Sequence, residues 1–262
     1  MRTAKTVLTV IQERGKQKKP IERVYKLLFN RELYLNAYAK LYPNNGAMTK
    51  GVTDETVDGM SIQKIDRMIE ILREEKYQWK PARREYIKKK NGKKRPLGIP
   101  VWGDKVLQEV MRQILEAYYE PQFSEHSHGF RPNRGCHTAL QEIQVWKGTR
   151  WFIEGDISQY FDTIDHKILL EILARNIHDG RFIRLVSNML EAGYLEEWKF
   201  KQTISGVPQG GVISPILANI YLNEFDNWIE EVLIPKYTKG KRQKSNPEYN
   251  KLTAEIQKLR KE

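Results

Sequence analysis

The sequence predicts an α+β fold in which a largely helical region precedes a smaller region that contains strands. Apolar residues recur at helical spacing between Ile21 and Tyr42 and again after Ser61. The pair Asn91-Gly92 separates two extended runs, which is the strongest short-range signal for a hairpin. The run from Trp151 to Ile157 predicts a mostly buried strand.

Along the helical region, the spacing predicts one or two helices over 21–42, followed by an ordered loop with turn-forming residues up to Gly59. An amphipathic helix then begins at Ser61 and fades before Pro81. After the basic hairpin, at 83–100, further helices are predicted over 104–119 and 136–147. We therefore assign residues 1–150 to one region.

The second region, 151–233, begins with the strand that ends near Asp156. Asp165 is placed to cap a helix over 168–177, and another helix covers 181–192. An alternating run from Glu197 predicts a strand that ends at Gly206, and Ser214-Pro215 begins a helix to about Leu233. The polar remainder, 234–262, is predicted to be an exposed insertion or a frayed helix.

The charge balance predicts a polyanionic partner. Among 262 residues, 45 Lys+Arg stand against 33 Asp+Glu, which gives a net charge of +12. The basic residues concentrate at 83–95 and 236–244, with aromatic residues close to each run. A solvated basic surface is the alternative explanation.

Two further features restrict the location. No apolar run approaches the roughly 18 residues of a membrane span, and no secretory signal is recognised, so no membrane partner is expected. The single cysteine, Cys136, excludes an internal disulfide framework, which predicts a reducing, cytoplasmic location.

Asp156 is the first candidate for chemistry. It follows the predicted strand and precedes a turn with two adjacent aromatic residues, Tyr160 and Phe161. Mg²⁺ prefers oxygen ligands, and nucleotidyl transfer needs carboxylates that hold Mg²⁺ beside substrate phosphates. Taken alone, an aspartate at a strand end is more often a turn or helix cap.

Four sequence blocks, taken together and in their order along the chain, favour a metal-binding role for Asp156 over a capping role. The third runs from Gly155 to Asp162, and the fourth contains Gly206-Val-Pro-Gln-Gly-Gly. The blocks lie at 88–100, 127–134, 155–162 and 206–219. Together they resemble group II intron-encoded reverse transcriptases, also called maturases, over about residues 20–228. The segment from Asn45 to Gly59 resembles the additional N-terminal block of these enzymes.

The resemblance implies right-hand polymerase fingers joined to a partial palm, and RNA-directed DNA synthesis coupled to intron RNA binding, splicing and mobility. Asp156 is similar to the first metal-binding aspartate of a two-Mg²⁺ site, with the Ile157 carbonyl as a backbone ligand. Phe161 resembles the steric gate that rejects a ribose 2′-hydroxyl, although the adjacent Tyr160 is an alternative. Core packing is the other explanation for either ring.

Nucleotide and RNA contacts follow from the same resemblance. Lys89, Arg95 and Gln209 match residues that hold the incoming deoxynucleoside triphosphate (dNTP). The loop with Arg131 and Arg134 matches a block that contacts RNA. The remaining hairpin lysines either contact RNA or form a solvated surface; they are Lys88, Lys93 and Lys94. We expect no metal site at His126, His128 and His137.

The family's Ala-Asp-Asp turn, which supplies two further carboxylates, does not occur in this sequence. We therefore expect a fragment or processed product, inactive alone on an RNA template and DNA primer, that forms a homodimer through its incomplete palm and the apolar helix face of Ile216, Ile220 and Leu222. The alternative to the homodimer is that the charged tail, 234–262, covers the incomplete palm. The alternatives for the function are an RNA-binding splicing module without polymerase activity and a basic structural protein with fortuitous motifs.

Overall fold

The computed structural model describes residues 2–88, 92, 94–146, 152–197, 199–207, 210–238 and 246–260. These residues form two compact units, 1–224 and 225–262. No helix in the described ranges is long and apolar enough to span a bilayer. The boundaries at residues 150 and 233 remain predictions.

The N-terminal segment is less helical than its apolar spacing predicts. Helix α1 spans Ala4–Lys16, and α2 spans Arg31–Leu41. Between them lie a two-residue strand, β1 (Ile21–Glu22), and a 3-10 helix over Val24–Phe29. Arg23 interrupts the helical backbone because its φ is 55°, in the left-handed region. The prediction of one or two helices over 21–42 is therefore correct only for its second half.

Helix α4, Trp102–Tyr119, forms the centre of the core. Most of its residues are buried, and α1 and α2 pack against it. Helix α3, Ile62–Arg73, begins where Ser61 accepts a hydrogen bond from the Lys64 N–H at 3.3 Å. Helix α5 spans Cys136–Gln144. These three helices confirm the predicted ones with small differences at their ends.

The predicted basic hairpin is confirmed. Strands β2 (Ala82–Lys88) and β3 (Lys94–Ile99) are antiparallel, with Lys88 opposite Lys94. The turn residue Asn91 lies outside the described residues.

A second, shorter hairpin extends this sheet. Strands β5 (Tyr194–Glu196) and β6 (Lys199–Lys201) complete the order β3-β2-β5-β6, because β5 runs parallel to β2. The strand predicted from Glu197 to Gly206 is thus only partly correct. Glu197 has a φ of 50° and lies in the turn between the two strands.

Between α5 and β5, the described residues contain three helices. Helix α7 spans His166–Asn176 and α8 spans Gly180–Glu191. Asp165 caps α7 by accepting from the Ile168 N–H at 2.9 Å, as predicted. Between α7 and α8, strand β4 (Ile177–His178) pairs in parallel with β1. The four-residue helix α6, Tyr160–Thr163, precedes them.

Helix α9, Ser214–Trp228, begins where the sequence predicts. Its apolar face belongs to the core: Ile216 is 6% exposed and Ile220 is 2% exposed. This corrects the expectation that both residues lie on an uncovered face available to a second chain. The buried cluster around α4 already covers them.

The helical path continues beyond α9. A π-helical turn spans Ile229–Leu233, α10 spans Ile234–Tyr237, and α11 spans Pro247–Leu259. The predicted end near Leu233 was therefore too early, and part of the charged C-terminal region is helical.

The strand predicted around Asp156 is not formed. Residues 152–157 have no regular secondary structure and are exposed, Ile153 to 93%. A strand requires a neighbour whose backbone groups pair with its own, and neither sheet in the described part of the chain includes this segment. The apolar run alone therefore gave the wrong prediction.

The first turn of α4 contains a buried carboxylate, Asp104. Its Oδ1 accepts from the Tyr77 hydroxyl at 2.6 Å, and its Oδ2 accepts from the Lys80 N–H at 3.0 Å. Burial raises the pKa of Asp104 to about 6, although both hydrogen bonds act in the opposite direction. Because the folded pKa exceeds the unfolded value, ionisation of Asp104 opposes folding increasingly as pH rises from about 4 to 6.

Tyr77→Phe tests this balance. It removes a donor to the ionised carboxylate, so we expect the free energy of unfolding to fall by about 1.5–3 kcal/mol at pH 8 and by less at pH 5, where Asp104 is protonated. Urea unfolding at both pH values measures the difference. Tyr38→Phe is the control, because the Tyr38 hydroxyl has no hydrogen-bond partner in the ranges described. An equal loss for Tyr77→Phe at both pH values would contradict the prediction.

Candidate functional site

Helix α6 and the segment 205–207 are held together through their backbones. The Val207 N–H donates to the Phe161 carbonyl at 2.7 Å, and the Gly206 N–H donates to the Ile164 carbonyl at 2.8 Å. Gly206 has a φ of +87°, and a Cβ there would lie 2.8 Å from the Asp162 Cα. Glycine is required at this position because no side chain fits between the two segments. The third and fourth sequence blocks therefore form one structural unit.

The two aromatic residues of α6 have different surroundings. The Tyr160 hydroxyl donates to the Ala218 carbonyl at 2.7 Å, which ties this ring to α9. The Phe161 ring is half-buried and makes edge contacts with Phe130, at 6.2 Å between centroids, and with Tyr160. Tyr160 is thus tied to α9 by a polar contact, whereas the Phe161 side chain packs against the core and against two neighbouring rings without a polar contact of its own.

The glycine-rich loop after residue 209 lies against the basic hairpin. Gly210 has a φ of +104°, and a Cβ there would lie 2.7 Å from the Gly98 carbonyl oxygen on β3. The Val212 N–H donates to Gln108 Oε1 at 2.9 Å. Gln108 is 3% exposed and projects from the apolar side of α4. Gln108 was not among the predicted site residues. The signal that could have identified it is an amide side chain between Leu107 and Val110 in an otherwise buried helix.

The hairpin presents its basic side chains to solvent. Lys88, Lys94 and Arg95 are exposed, and Lys94 Nζ lies 6.0 Å from the centre of the Tyr86 ring. Arg95 lies opposite Ile87 in the strand register. Three further predicted site residues lie outside the described residues; they are Lys89, Lys93 and Gln209.

Asp156 and Ile157 lie in the exposed segment 152–157, before α6. Within the described ranges, no three His, Cys, Asp or Glu side chains are arranged to hold a metal ion. Asp156 therefore fits a metal site only as the donor of one carboxylate.

Arg131 and Arg134, which lie in the same loop, differ in burial and in hydrogen-bond partners. The Arg131 side chain is 4% exposed and forms an ion pair with Glu120 at 3.0 Å. Its Nη1 also donates to the carbonyls of Ser124 at 2.5 Å and Ser127 at 2.7 Å. This placement corrects the expectation that Arg131 presents its guanidinium to RNA, because burial and protein acceptors occupy that group. Arg134 is half-buried, and it donates to the Glu125 carbonyl.

Two histidines of the same loop share one carboxylate. His128 Nε2 lies 2.8 Å from Glu142 Oε2, and His126 Nδ1 contacts the other oxygen of Glu142. Hydrogen bonds from His126 and then His128 lower the pKa of Glu142. Glu142 lies on α5, 14 residues after His128 in the sequence. This contact fastens the loop to α5.

A family model described as "Reverse transcriptase (RNA-dependent DNA polymerase)" matches residues 87–241. The "Group II intron-encoded protein LtrA" of Lactococcus lactis subsp. cremoris is 47% identical over 239 residues, which cover 90% of this chain and 40% of that protein.

Two further comparisons extend this result. The "Putative COX1/OXI3 intron 1 protein" of Saccharomyces cerevisiae is 41% identical, over 89% of this chain and 28% of its own length. A solved chain of a "Partial Cas6-RT-Cas1--Cas2 complex" aligns with a TM-score of 0.52 and 20% identity, over 79% of this chain and 35% of that chain. This structural similarity shows the fold alone. The chain spans less than half the length of both curated relatives.

Proposed function

Because the chain belongs to the reverse transcriptase (RNA-dependent DNA polymerase) family and groups with its intron-encoded members, we propose that it supplies the fingers and part of the palm of an RNA-directed DNA polymerase. The observation that supports this most is the backbone contact between 205–207 and α6. It joins two of the four sequence blocks around Phe161. The partners in this proposal are an RNA template, a DNA primer, dNTPs and intron RNA.

In the proposed site, Phe161 rather than Tyr160 is the steric gate. Tyr160 donates its hydroxyl to Ala218 and packs toward α9, so its ring position is fixed by the core. Phe161 is half-buried and has no polar group that would compete with a nucleotide sugar. A flat ring beside the sugar excludes a 2′-hydroxyl by contact.

Mg²⁺ would neutralise phosphate charge at this site when bound. Asp156 would supply a carboxylate and Ile157 a backbone carbonyl, which are hard oxygen donors suited to this ion. Arg95, with the neighbouring hairpin lysine Lys89, would bind the triphosphate, and Gln209 would face the sugar. The forked guanidinium of Arg95 suits two phosphate oxygens at once.

Phe161→Ala tests the gate in the complete protein. We expect discrimination against ribonucleotides to fall roughly ten- to hundredfold, because the ring no longer excludes the 2′-hydroxyl. The measurement is primer extension on an RNA template with dNTPs or ribonucleotides. Tyr160→Phe, which keeps the ring and removes the hydroxyl that donates to Ala218, is the control. Relaxed discrimination in Tyr160→Ala, which removes the ring, and not in Phe161→Ala would reverse the assignment.

RNA binding by the basic surfaces is a separate prediction. If Lys88, Lys94, Arg134 and neighbouring cations make six or more phosphate contacts, affinity should fall by roughly 10³-fold or more between 50 and 200 mM salt. Filter binding without Mg²⁺ or dNTPs measures this. Charge reversal at Lys88 should reduce the salt slope by about one, whereas reversal at the exposed Lys251 of α11 should not. A flat salt response would indicate a merely solvated surface.

Assistance in splicing is the second candidate function, favoured by the similarity to intron-encoded proteins. It requires RNA binding and no polymerisation, so splicing assays without dNTPs separate it from reverse transcription. Self-association also remains a proposal. Because Ile216 and Ile220 are buried, the exposed segment 152–157 is the remaining support for it. Sedimentation at micromolar concentration tests it.

A further inference from the structure

A cavity of about 550 Å³ lies between α3 and the beginning of α4, and none of the proposed polymerase residues lines it. Its volume is typical of small-ligand pockets, which span roughly 300–1,000 Å³. Its accessible apolar wall consists of half-buried side chains; these are Met60, Met68, Ile71 and Tyr77. We propose that this cavity binds an unpaired nucleotide of RNA, an inference that rests on the proposed RNA-binding function.

Two residues that line the cavity, Trp102 and Asp104, carry polar groups that are almost fully buried. Trp102 is 3% exposed, and its indole Nε1 is buried without a hydrogen-bond partner in the part of the chain described. By contrast, the indole N–H of Trp79 donates to the Leu185 carbonyl at 3.0 Å. Next to Trp102, the Asp104 carboxylate accepts from the Tyr77 hydroxyl and the Lys80 N–H, and each of its oxygens has a second lone pair that can accept from a ligand. One donor and one acceptor match the edge of a nucleobase, which offers both.

The charges at the rim favour a phosphate. Lys64 and Lys76 line the cavity but pair with Glu55 and Glu74, respectively. Arg67 and Lys80 also line it, and neither has an ion-pair partner among the residues that the structure describes.

The start of α4 adds to this attraction. This 18-residue helix begins at the cavity, and the Val101 cap supplies no side-chain hydrogen bond. The N-terminus of a helix attracts anions through its unpaired N–H groups and its dipole. Proteins that recognise single-stranded RNA place flat bases against apolar and aromatic walls and phosphates against basic side chains.

Gly103 offers a way to close the cavity without disturbing the fold. A Cβ at this position would meet nothing within 4 Å. Gly103→Leu should therefore fill the space while remaining compatible with the helix. Trp102→Phe keeps an aromatic ring and removes the unpartnered N–H. Because Trp102→Phe also removes buried atoms of the indole ring, Gly103→Leu is the more decisive variant.

The experiment compares two RNA hairpins that differ only in one unpaired nucleotide, bound to the complete protein at a fixed salt concentration. We expect the wild-type protein to prefer the hairpin with the unpaired nucleotide about tenfold. Gly103→Leu should abolish that preference, and Trp102→Phe should reduce it about three- to tenfold. Lys26→Glu, on an exposed lysine outside the cavity, should preserve it.

Circular dichroism melting confirms that Gly103→Leu is folded. Equal wild-type affinity for both hairpins, or a preference that survives in folded Gly103→Leu, would overturn the cavity proposal while leaving the proposed function intact. Failure of the wild-type protein to bind either RNA would instead contradict the RNA-binding function itself.

Discussion

Replacing Gly15 by alanine is expected to lower the free energy of unfolding by about 3 kcal/mol or more. Gly15 lies in the last turn of α1, where a Cβ would stand 2.1 Å from the Tyr118 carbonyl oxygen of α4. The neighbour is backbone in the most buried helix of the core, so it has no rotamer to change. The two helices would have to separate, and their buried side chains would lose contact.

Urea unfolding measures this loss, and Gly180→Ala provides the matched control. Gly180 begins α8, and a Cβ there would meet nothing within 4 Å. We expect that variant to be neutral or more stable by up to about 1 kcal/mol, because alanine is the better helix former. Similar values for both variants would show that the close approach of α1 to α4 is not required.

Replacing Arg131 by alanine is expected to cost about 2–4 kcal/mol of stability. The change would remove the guanidinium that donates to the Glu120 carboxylate and to the carbonyls of Ser124 and Ser127. Arg131→Lys should recover only part of the loss, because a lysine cannot donate in several directions from one planar group. Thermal unfolding of the three proteins tests the order.

Arg134→Ala is the matched control in the same loop. Among the residues that the structure describes, the Arg134 side chain donates one hydrogen bond, to the Glu125 carbonyl, so we expect a stability loss below about 1 kcal/mol and a larger effect on RNA affinity. If Arg131→Ala instead kept full stability and lost RNA affinity, the original interpretation of Arg131 as an RNA contact would be restored.

Local signals predicted the parts of this fold that local interactions determine. The hairpin around Asn91-Gly92, the start of α3 at Ser61 and the cap at Asp165 depend on residues close in sequence, and the structure confirms the hairpin strands, this helix start and the Asp165 cap. The start of α9 at Ser214 belongs to the same group.

Features that depend on distant partners were missed. The aromatic and β-branched residues Phe152 and Ile153 favour a strand, yet a strand needs a neighbour, and sequence periodicity gives no information about one. The position of Arg131 in a loop predicts an exposed side chain, and only the structure shows that Glu120 and two carbonyls surround it. For Gln108, only the position of the loop at Val212 shows what its amide binds.

The short parallel pair between β1 and β4 has a consequence for synthesis on the ribosome. The Tyr25 N–H donates to Asp179 across 154 positions of the chain. The segment that follows α1 therefore lacks its final partner until residues 177–179 have emerged, a delay of roughly 8–30 s at typical translation rates. During that interval, Ile21 and Val24, both buried in the finished protein, remain available to chaperones or to other nascent chains.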